Sequence, residues 1–170
     1  SGYQSSVLDG VDVHGRPVLF NRLGAFDWPS MRAQGVTLPM VVRRHMRTME
    51  MLAAAVDAAP CPYDGHLLLL DLKGASVSGT IRAFGVWREI VAIGNLSYPE
   101  LLGGVCMVRG PPAGRRAVNL IKQLLDKETR EKLKYSTGEA WPVLTHFFGA
   151  LESPTAELPA DLLPARAKAL

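Results

Sequence analysis

Cysteine is scarce in this sequence. The 170 residues contain two cysteines, Cys61 and Cys106, and four histidines that are scattered along the chain. Neither cysteine has a partner at the spacing of a metal site, and two distant thiols among apolar neighbours do not form a disulfide framework. We therefore expect two free thiols in a reducing compartment and no metal site.

Long apolar segments and a strong charge of one sign are also missing. Uninterrupted apolar runs such as residues 67–70 are far shorter than the ~20 residues that cross a bilayer. No signal-peptide pattern opens the chain. The net charge of +3 is too small to indicate nucleic acid as a partner. We therefore expect a soluble, cytoplasmic domain that binds no nucleic acid.

The common motifs of nucleotide binding and of hydrolysis are absent. The sequence has no GxGxxG and no GxxxxGK[ST] pattern. A hydrolase elbow needs glycine two places on each side of its serine, but Ser76 has Gly74 before it and Ser78 after it. Asp126 and His146 follow in the chain order of a hydrolase triad. We expect the serines to cap a helix and predict no catalytic residue and no cofactor, with a serine hydrolase as a distant alternative.

The composition that is present suits one compact domain, since 48% of the residues are hydrophobic. Positive charge is clustered rather than large. The two basic groups are Arg43, Arg44 and Arg47, and then Arg109, Arg115 and Arg116. Such groups suit an anionic membrane surface or a phosphate. A solvated basic face is the alternative.

Hydrophobic patterns predict strands alternating with helices. Strands are predicted at residues 16–20, 66–71 and 105–108, and helices at 40–59, from 77 onward, at 117–125 and at 141–151. This order predicts an α/β fold with a mostly parallel sheet. We expect residues 1–9 to be a leader or tag remnant, 10–151 to be the domain, and 152–170 to be a tail rich in proline and alanine.

A series of short motifs resembles the CRAL-TRIO lipid-binding domain family in order and spacing. The resemblance covers roughly residues 10–135. Its landmarks are Asp12-x-x-Gly15-Arg16-Pro17-Val18, Arg22-Leu23-Gly24, Leu70-Asp71-Leu72-Lys73-Gly74, Tyr98-Pro99-Glu100 with Gly103, Pro111, and Leu125-Asp126 with Thr129.

The resemblance implies an apolar pocket for one lipid, on a mostly parallel sheet with helices over one face and a gating helix at about residues 113–125. It implies that phosphatidylinositol or a phosphoinositide is the ligand and that the domain contacts membranes peripherally. The implied headgroup residues are Glu100, Thr129, Lys132 and Pro17. The implied gate or membrane contacts are Arg115, Arg116, Val118, Ile121 and Leu124.

The sequence departs from the relatives that also carry phosphatidylcholine. At the positions where they use hydroxyl and tyrosine side chains, this chain has His66, Leu68, Leu8 and Leu19, so a phosphatidylcholine site of that type is not expected. We expect no helical lobe of the kind that usually precedes residue 10 in the family, and the gate region contains two arginines. Two alternatives stay open: a non-transferring interaction module of a larger protein, and a carrier of another hydrophobic ligand such as a tocopherol, retinoid or sterol.

Overall fold

The core of the fold is a mixed β-sheet in which the strands lie in their sequence order. A computed structural model describes residues 5–60, 65–111, 118–119, 122–123, 127–137 and 140–148. In these residues the strands are β1 (Ser5–Val11), β2 (Pro17–Asn21), β3 (His66–Asp71), β4 (Leu102–Gly110) and β5 (Leu133–Thr137). β1 pairs antiparallel with β2, and the other neighbours are parallel. The predicted α/β class is confirmed.

Two long helices follow the β2 and β3 strands. The helices are α1 (Trp28–Ala33), α2 (Leu38–Asp57), α3 (Val77–Ser97), α4 (Lys127–Glu131) and α5 (Trp141–Phe148), with a short 3-10 helix at Leu23–Ala25. Pro39 stands in the first turn of α2, where the missing N–H is harmless. Ser76 caps α3, since its Oγ accepts a hydrogen bond from the Gly79 N–H at 3.0 Å. The predicted capping role of Ser76 is thus confirmed.

The two faces of the sheet have different cover. Leu67 and Leu69 of β3 pack beneath α5, whereas Leu68 points toward α2 on the other face, as the two-residue period of a strand requires. Right-handed crossovers between strands in sequential order place their helices on one face, and α2 lies there. The resemblance implied this helical layer over one face of the sheet. It did not imply that α5 also covers the opposite face.

α3 packs mainly on other helices and loops. Its buried residues Ala83 and Val86 form a cluster with Phe26, which precedes α1. The partly buried members of that cluster are Trp28, Met31, Leu38, Val41, Trp87 and Ile90. All of them come from α1, α2 and α3. Because these helices bury apolar side chains against one another, their side chains do not have to fill the space above the sheet.

Some predicted boundaries are corrected by the sheet. The expected leader at residues 1–9 overlaps β1, which pairs with β2, so the domain begins earlier than residue 10. β4 is longer than the predicted strand at 105–108, and β5 was not predicted. The tail at 152–170 and most of the predicted gating helix lie outside the described residues. No helix among the described residues is long and apolar enough to span a membrane.

Asp71, the last residue of β3, pairs with Arg109 near the end of β4 and so ties these two strands together at the carboxyl edge of the sheet. Its side chain is fully buried and accepts hydrogen bonds from Arg109 Nε at 2.9 Å and Arg109 Nη2 at 2.5 Å. Arg22 Nε lies 3.5 Å from the same carboxylate. Breaking such a buried pair costs about 3–5 kcal/mol. The aspartate of the Leu-Asp-Leu-Lys-Gly landmark therefore has a structural role in a buried ion pair.

Cys106 is a buried free thiol on the face that α5 covers. Burial raises the pKa of its thiol to about 12, so it stays protonated and unreactive. The expectation of a free thiol is confirmed for Cys106, whereas Cys61 lies outside the described residues.

Gly24 allows the close approach of two backbone segments at the carboxyl edge. A Cβ there would lie 2.1 Å from the carbonyl oxygen of Lys73. We expect Gly24→Ala to lower the free energy of unfolding by at least about 2 kcal/mol, because backbone atoms on both sides have to move. Urea unfolding followed by circular dichroism measures the change.

Gly85→Ala is the matched control, because a Cβ at this position would have no neighbouring atom within 4 Å and the residue is inside α3. Alanine should raise helix stability there by about 0.5–1 kcal/mol. Similar unfolding midpoints for the two variants would show that the contact at Gly24 does not constrain the fold.

Candidate functional site

A large cavity lies between the sheet and the helices α2 and α3. Its volume is about 890 Å³, toward the upper end of the range for ligand sites. The floor consists of strand side chains: Leu19, Leu68, Leu70, Val105 and Met107. The helical side is lined among others by Val41, Met49, Trp87, Ile90 and Val91. An apolar ligand would contact apolar side chains both on the sheet side and on the helical side of the cavity.

Polar groups gather at one end of the cavity, the amino edge of the parallel strands. Arg16 directly precedes β2, His66 begins β3, Gly103 is near the start of β4, and Lys132 directly precedes β5. Since these strands run in the same direction, their first residues lie along one edge. The edge is the reverse of the usual carboxyl-end location of ligand sites in open α/β sheets.

Asp12 holds Arg16 in a fixed position at this edge. Asp12 Oδ2 accepts from Arg16 Nε at 2.9 Å and from Nη2 at 2.6 Å, and its Oδ1 accepts the Arg16 backbone N–H. Arg16 Nη1 donates to the Gly103 carbonyl at 3.0 Å. The Asp12 side chain is fully buried and that of Arg16 is 11% exposed. A cation is thus fixed beside the cavity and joins β2 to β4.

Glu100 lines the cavity from a strained turn. The Leu101 N–H donates to the Tyr98 carbonyl at 3.4 Å, and Glu100 has a φ of 63°. Proline followed by a residue of positive φ is typical of a type II turn, in which glycine is preferred at Glu100's position. A side chain there costs about 1–2 kcal/mol. Backbone strain of this kind often accompanies functional positions.

His66 is buried at the same end of the cavity. It is 3% exposed, and its Nδ1 lies 2.6 Å from the carbonyl oxygen of Leu101. Burial lowers the pKa of His66 to about 4. The hydrogen bond with the Leu101 carbonyl raises this pKa by less, and the charges of Arg16 and of protonated His45 lower it further. Burial also lowers the pKa of His45. The cavity therefore contains neutral imidazoles at pH 7.

The predicted headgroup residues are brought together only in part. Glu100 and Lys132 line the same cavity. Pro17 is buried in β2 and is not among the lining residues. Thr129 lies in α4, but its side chain is outside what the structure describes. Their roles in binding a headgroup stay predictions.

Most of the predicted gate residues lie outside the part of the chain that the structure describes. Arg115, Arg116, Ile121 and Leu124 lie outside the described residues. Val118 is buried in a cluster with Leu72 and Met107 and lines a second cavity of about 410 Å³. A contact of these residues with a membrane stays a prediction.

Sequence reasoning missed several polar residues of the cavity. Arg16 was noted only as part of a motif, His66 only as a departure from relatives, and His45 only as one of the scattered histidines. Asn21 lies at the other end of the floor, and its Oδ1 is buried without a hydrogen-bond partner among the described residues. The strand period was the available signal, because His66 and Leu68 share a face.

The hydrolase arrangement does not assemble among the described residues. His146 is exposed on α5, which packs on the face of the sheet opposite the cavity. Ser76 is engaged at the start of α3, and Asp126 lies outside the described residues. In the described part of the chain, no group of three potential ligands from histidine, cysteine, aspartate and glutamate could hold a metal ion.

Comparison with known proteins connects this architecture to one family. The sequence model of the CRAL/TRIO domain matches residues 2–155. The chain is 27% identical to the "Sec14 cytosolic factor" of Schizosaccharomyces pombe, with 98% of this chain and 56% of the relative covered. It is 26% identical to the "Phosphatidylinositol/phosphatidylcholine transfer protein SFH7" of Arabidopsis thaliana, with 85% and 27% covered. The chain thus spans about half or less of these relatives' length.

A solved structure shows the same fold. The chain superimposes on the structure described as "Crystal structure of Sfh5" with a TM-score of 0.68 at 20% identity, over 84% of this chain and 50% of the other. The fold that the motif series implied is therefore confirmed.

The buried imidazole of His66 makes stability depend on pH. Its pKa in the folded protein, about 4, is below the ordinary value of 6.5, so the unfolded chain binds more protons between these values. The free energy of unfolding should then fall as pH decreases, with a contribution from His66 of about 2 kcal/mol between pH 7 and pH 5. His66→Gln should lack this contribution in urea unfolding measured at several pH values.

The exposed His146 provides the comparison. His146→Gln should keep the pH dependence of the wild type. If His66→Gln also kept the full dependence, the buried neutral imidazole would be disproved.

Proposed function

Since the chain belongs to the CRAL/TRIO domain family, we propose that it binds a single membrane lipid, phosphatidylinositol or a phosphoinositide, and exchanges it with membranes without catalysing a reaction. The acyl chains occupy the cavity above the sheet, and the headgroup lies at the amino edge. The observation that carries this proposal is the 890 Å³ cavity, apolar along its floor and polar at one end. The names of the relatives, which include phosphatidylinositol transfer, support it.

The energetics of exchange favour such a cavity. Each methylene group that leaves hydrocarbon for water costs about 0.8 kcal/mol, so free diffusion of a two-chain lipid through water is very slow. Transfer from the bilayer to a cavity lined by Leu68, Leu70 and Met107 replaces one hydrocarbon environment with another. Polar contacts at the rim then determine which lipid is retained.

Lys132 and Glu100 provide complementary chemistry for an inositol phosphate. The phosphodiester is anionic at cellular pH, and an ammonium group donates charge-assisted hydrogen bonds to it. A carboxylate accepts hydrogen bonds from ring hydroxyls. We assign Lys132 to the phosphate and Glu100 to the hydroxyls, with Thr129 as a further donor. Pro17, buried in β2, supports this edge without lining it.

The cavity floor supports inositol rather than choline as the headgroup. Leu19 and Leu68 line the cavity where an aromatic or hydroxyl side chain would be needed for a phosphatidylcholine site. Leu8 is buried on the opposite face of the sheet, in the cluster that contains α5. Of the three leucines among the four departures, Leu19 and Leu68 therefore make the cavity apolar, whereas Leu8 does not face it.

The outer face of α2 suits an anionic membrane. Arg43, Arg44 and Arg47 are exposed, and Arg44 also lines the cavity. Met40 and Met51, on the same helical stripe, are 55% and 66% exposed. Basic and apolar side chains together are typical of helices that lie at a lipid interface. α2 also forms one wall of the cavity, so docking through this stripe brings the cavity close to the bilayer. We propose cytosolic residence with peripheral membrane contact.

Native mass spectrometry of protein incubated with mixed phospholipid vesicles tests the lipid assignment. We expect one phosphatidylinositol per protein molecule. Lys132→Ala should reduce its occupancy at least about tenfold, because a charged hydrogen bond to the phosphate is lost. Lys134→Ala, two residues further along β5 and exposed, should retain it.

Other outcomes would decide between the remaining functions. Protein that binds vesicles but never carries a lipid would support the non-transferring interaction module. Protein that carries a sterol, retinoid or tocopherol instead of a phospholipid would support the cavity as a binding site for a hydrophobic ligand. It would contradict phosphatidylinositol as that ligand. Equal loss of phosphatidylinositol in Lys132→Ala and Lys134→Ala would contradict the assignment of Lys132.

Membrane docking should depend on salt and on the stripe of α2. Each arginine near an anionic surface contributes about 1 kcal/mol, so the double variant Arg43→Gln/Arg47→Gln should bind phosphatidylserine vesicles about 30-fold more weakly. Raising the salt from about 0.1 M to about 0.5 M should weaken wild-type binding. Vesicle co-sedimentation measures both effects.

Lys73→Gln/Lys134→Gln is the charge-matched control. Both lysines are exposed, and neither belongs to α2. If this variant lost as much affinity as the α2 variant, net charge alone would explain binding. Binding that is independent of salt would exclude the electrostatic part of the docking proposal.

A further inference from the structure

We propose that His66 is a specificity-determining residue that accepts a hydrogen bond from a hydroxyl group of the bound lipid. The inference rests on the proposed function and adds the chemistry of one contact to it. It concerns a side chain that neither the motif series nor the predicted headgroup set includes.

The position of His66 in β3 directs its ring toward the cavity. Leu67 belongs to the core beneath α5, whereas Leu68 lines the cavity. Because alternate strand side chains point to opposite faces, His66 shares the face of Leu68, and it lines the cavity at its polar end. The ring is 3% exposed, so bulk water does not compete strongly for its hydrogen bonds.

The Leu101 carbonyl determines which ring nitrogen carries the proton. Nδ1 lies 2.6 Å from that oxygen, and a carbonyl oxygen only accepts, so Nδ1 is the donor. A neutral imidazole has one N–H, and Nε2 therefore carries a lone pair. Within the described part of the chain, no group donates to Nε2. The ring therefore presents an acceptor to the cavity.

The surroundings keep the ring neutral. Arg16, fixed by Asp12, and His45 on α2 are the charged and titratable groups that act on it, and both disfavour a second proton. Burial acts in the same direction and is the largest effect, and it outweighs the hydrogen bond with the Leu101 carbonyl, which raises the pKa of His66. Lys132 and Glu100 also line this cavity. The acceptor character of Nε2 thus persists at neutral pH.

An unprotonated nitrogen selects for a donor. It accepts from a hydroxyl group, but it cannot donate to a phosphate oxygen. A trimethylammonium group has neither an N–H nor an O–H. Leaving a buried polar partner without its hydrogen bond costs about 1–3 kcal/mol. His66 therefore favours a lipid with a polyhydroxylated headgroup over one of equal charge that lacks hydroxyls.

The test compares two lipids that share acyl chains and a single negative phosphodiester: phosphatidylinositol, which has ring hydroxyls, and phosphatidylmethanol, which has none. Protein is loaded from vesicles containing both in equal amounts, and native mass spectrometry gives the ratio of the two adducts. We expect the wild type to favour phosphatidylinositol. His66→Phe should lower the ratio at least about fivefold, whereas His66→Gln, whose amide oxygen accepts, should largely preserve it.

Both variants should fold, because the Leu101 carbonyl still accepts the backbone N–H of residue 66 at 2.8 Å. An independent readout uses the wild type alone: the ¹⁵N chemical shift of His66 Nε2 should move on loading with phosphatidylinositol and stay nearly unchanged with phosphatidylmethanol.

The other possible results of these experiments would overturn either the role of His66 or the proposed function. An unchanged ratio in His66→Phe, an equal loss in His66→Gln, or equal loading of the two lipids by the wild type would overturn the role of His66 and leave lipid binding intact. A wild type that loads neither lipid would overturn the proposed function, and the His66 contact with it.

Discussion

Strand order is the constraint from which the cavity follows. β2, β3, β4 and β5 lie side by side in sequence order and run parallel, so right-handed crossovers place the long helices on one face of the sheet. α2 and α3 contain 20 and 21 residues, and the helical layer has its own core around Phe26, Ala83 and Val86. The layer therefore covers the floor without filling the space above Leu68 and Leu70.

The same strand order concentrates polar groups where the strands begin. Arg16, His66 and Lys132 each stand at the first residue of a parallel strand or just before it. Asp12 fixes the guanidinium, and the Leu101 carbonyl accepts both the backbone N–H and the Nδ1–H of His66. These internal bonds orient the polar edge before any ligand arrives, and pre-organisation of this kind reduces the cost of binding.

The parts of the fold with a strong local pattern were predictable. The uniform apolar run of β3, the helical periodicity of α2 and the serine cap of α3 gave their elements close to the observed bounds. β1 and β5 were missed because short strands such as Leu133–Thr137, with exposed and half-buried side chains, are defined by pairing with a neighbour rather than by their own pattern.

The site was predictable only through the motif series. Those motifs identified Glu100 and Lys132, which both line the cavity. The role of His66 was not predicted, because its burial, its tautomer and its acceptor nitrogen depend on the Leu101 carbonyl, which comes from a turn 35 residues away in sequence. Asn21 and Arg16 were not predicted as cavity residues for the same reason. The cavity that they line forms only when β2, β3 and β4 pair.

The central claim, that a lipid's acyl chains lie inside this cavity, is tested most directly by fluorescence. Trp87 lines the cavity, and in a Trp28→Phe/Trp141→Phe background it is the only tryptophan of the three in the chain. Protein loaded with phosphatidylinositol carrying brominated acyl chains, and then separated from vesicles, should show strong quenching of Trp87 relative to the unbrominated lipid. Equal fluorescence with the two lipids, at equal bound stoichiometry, would contradict the account.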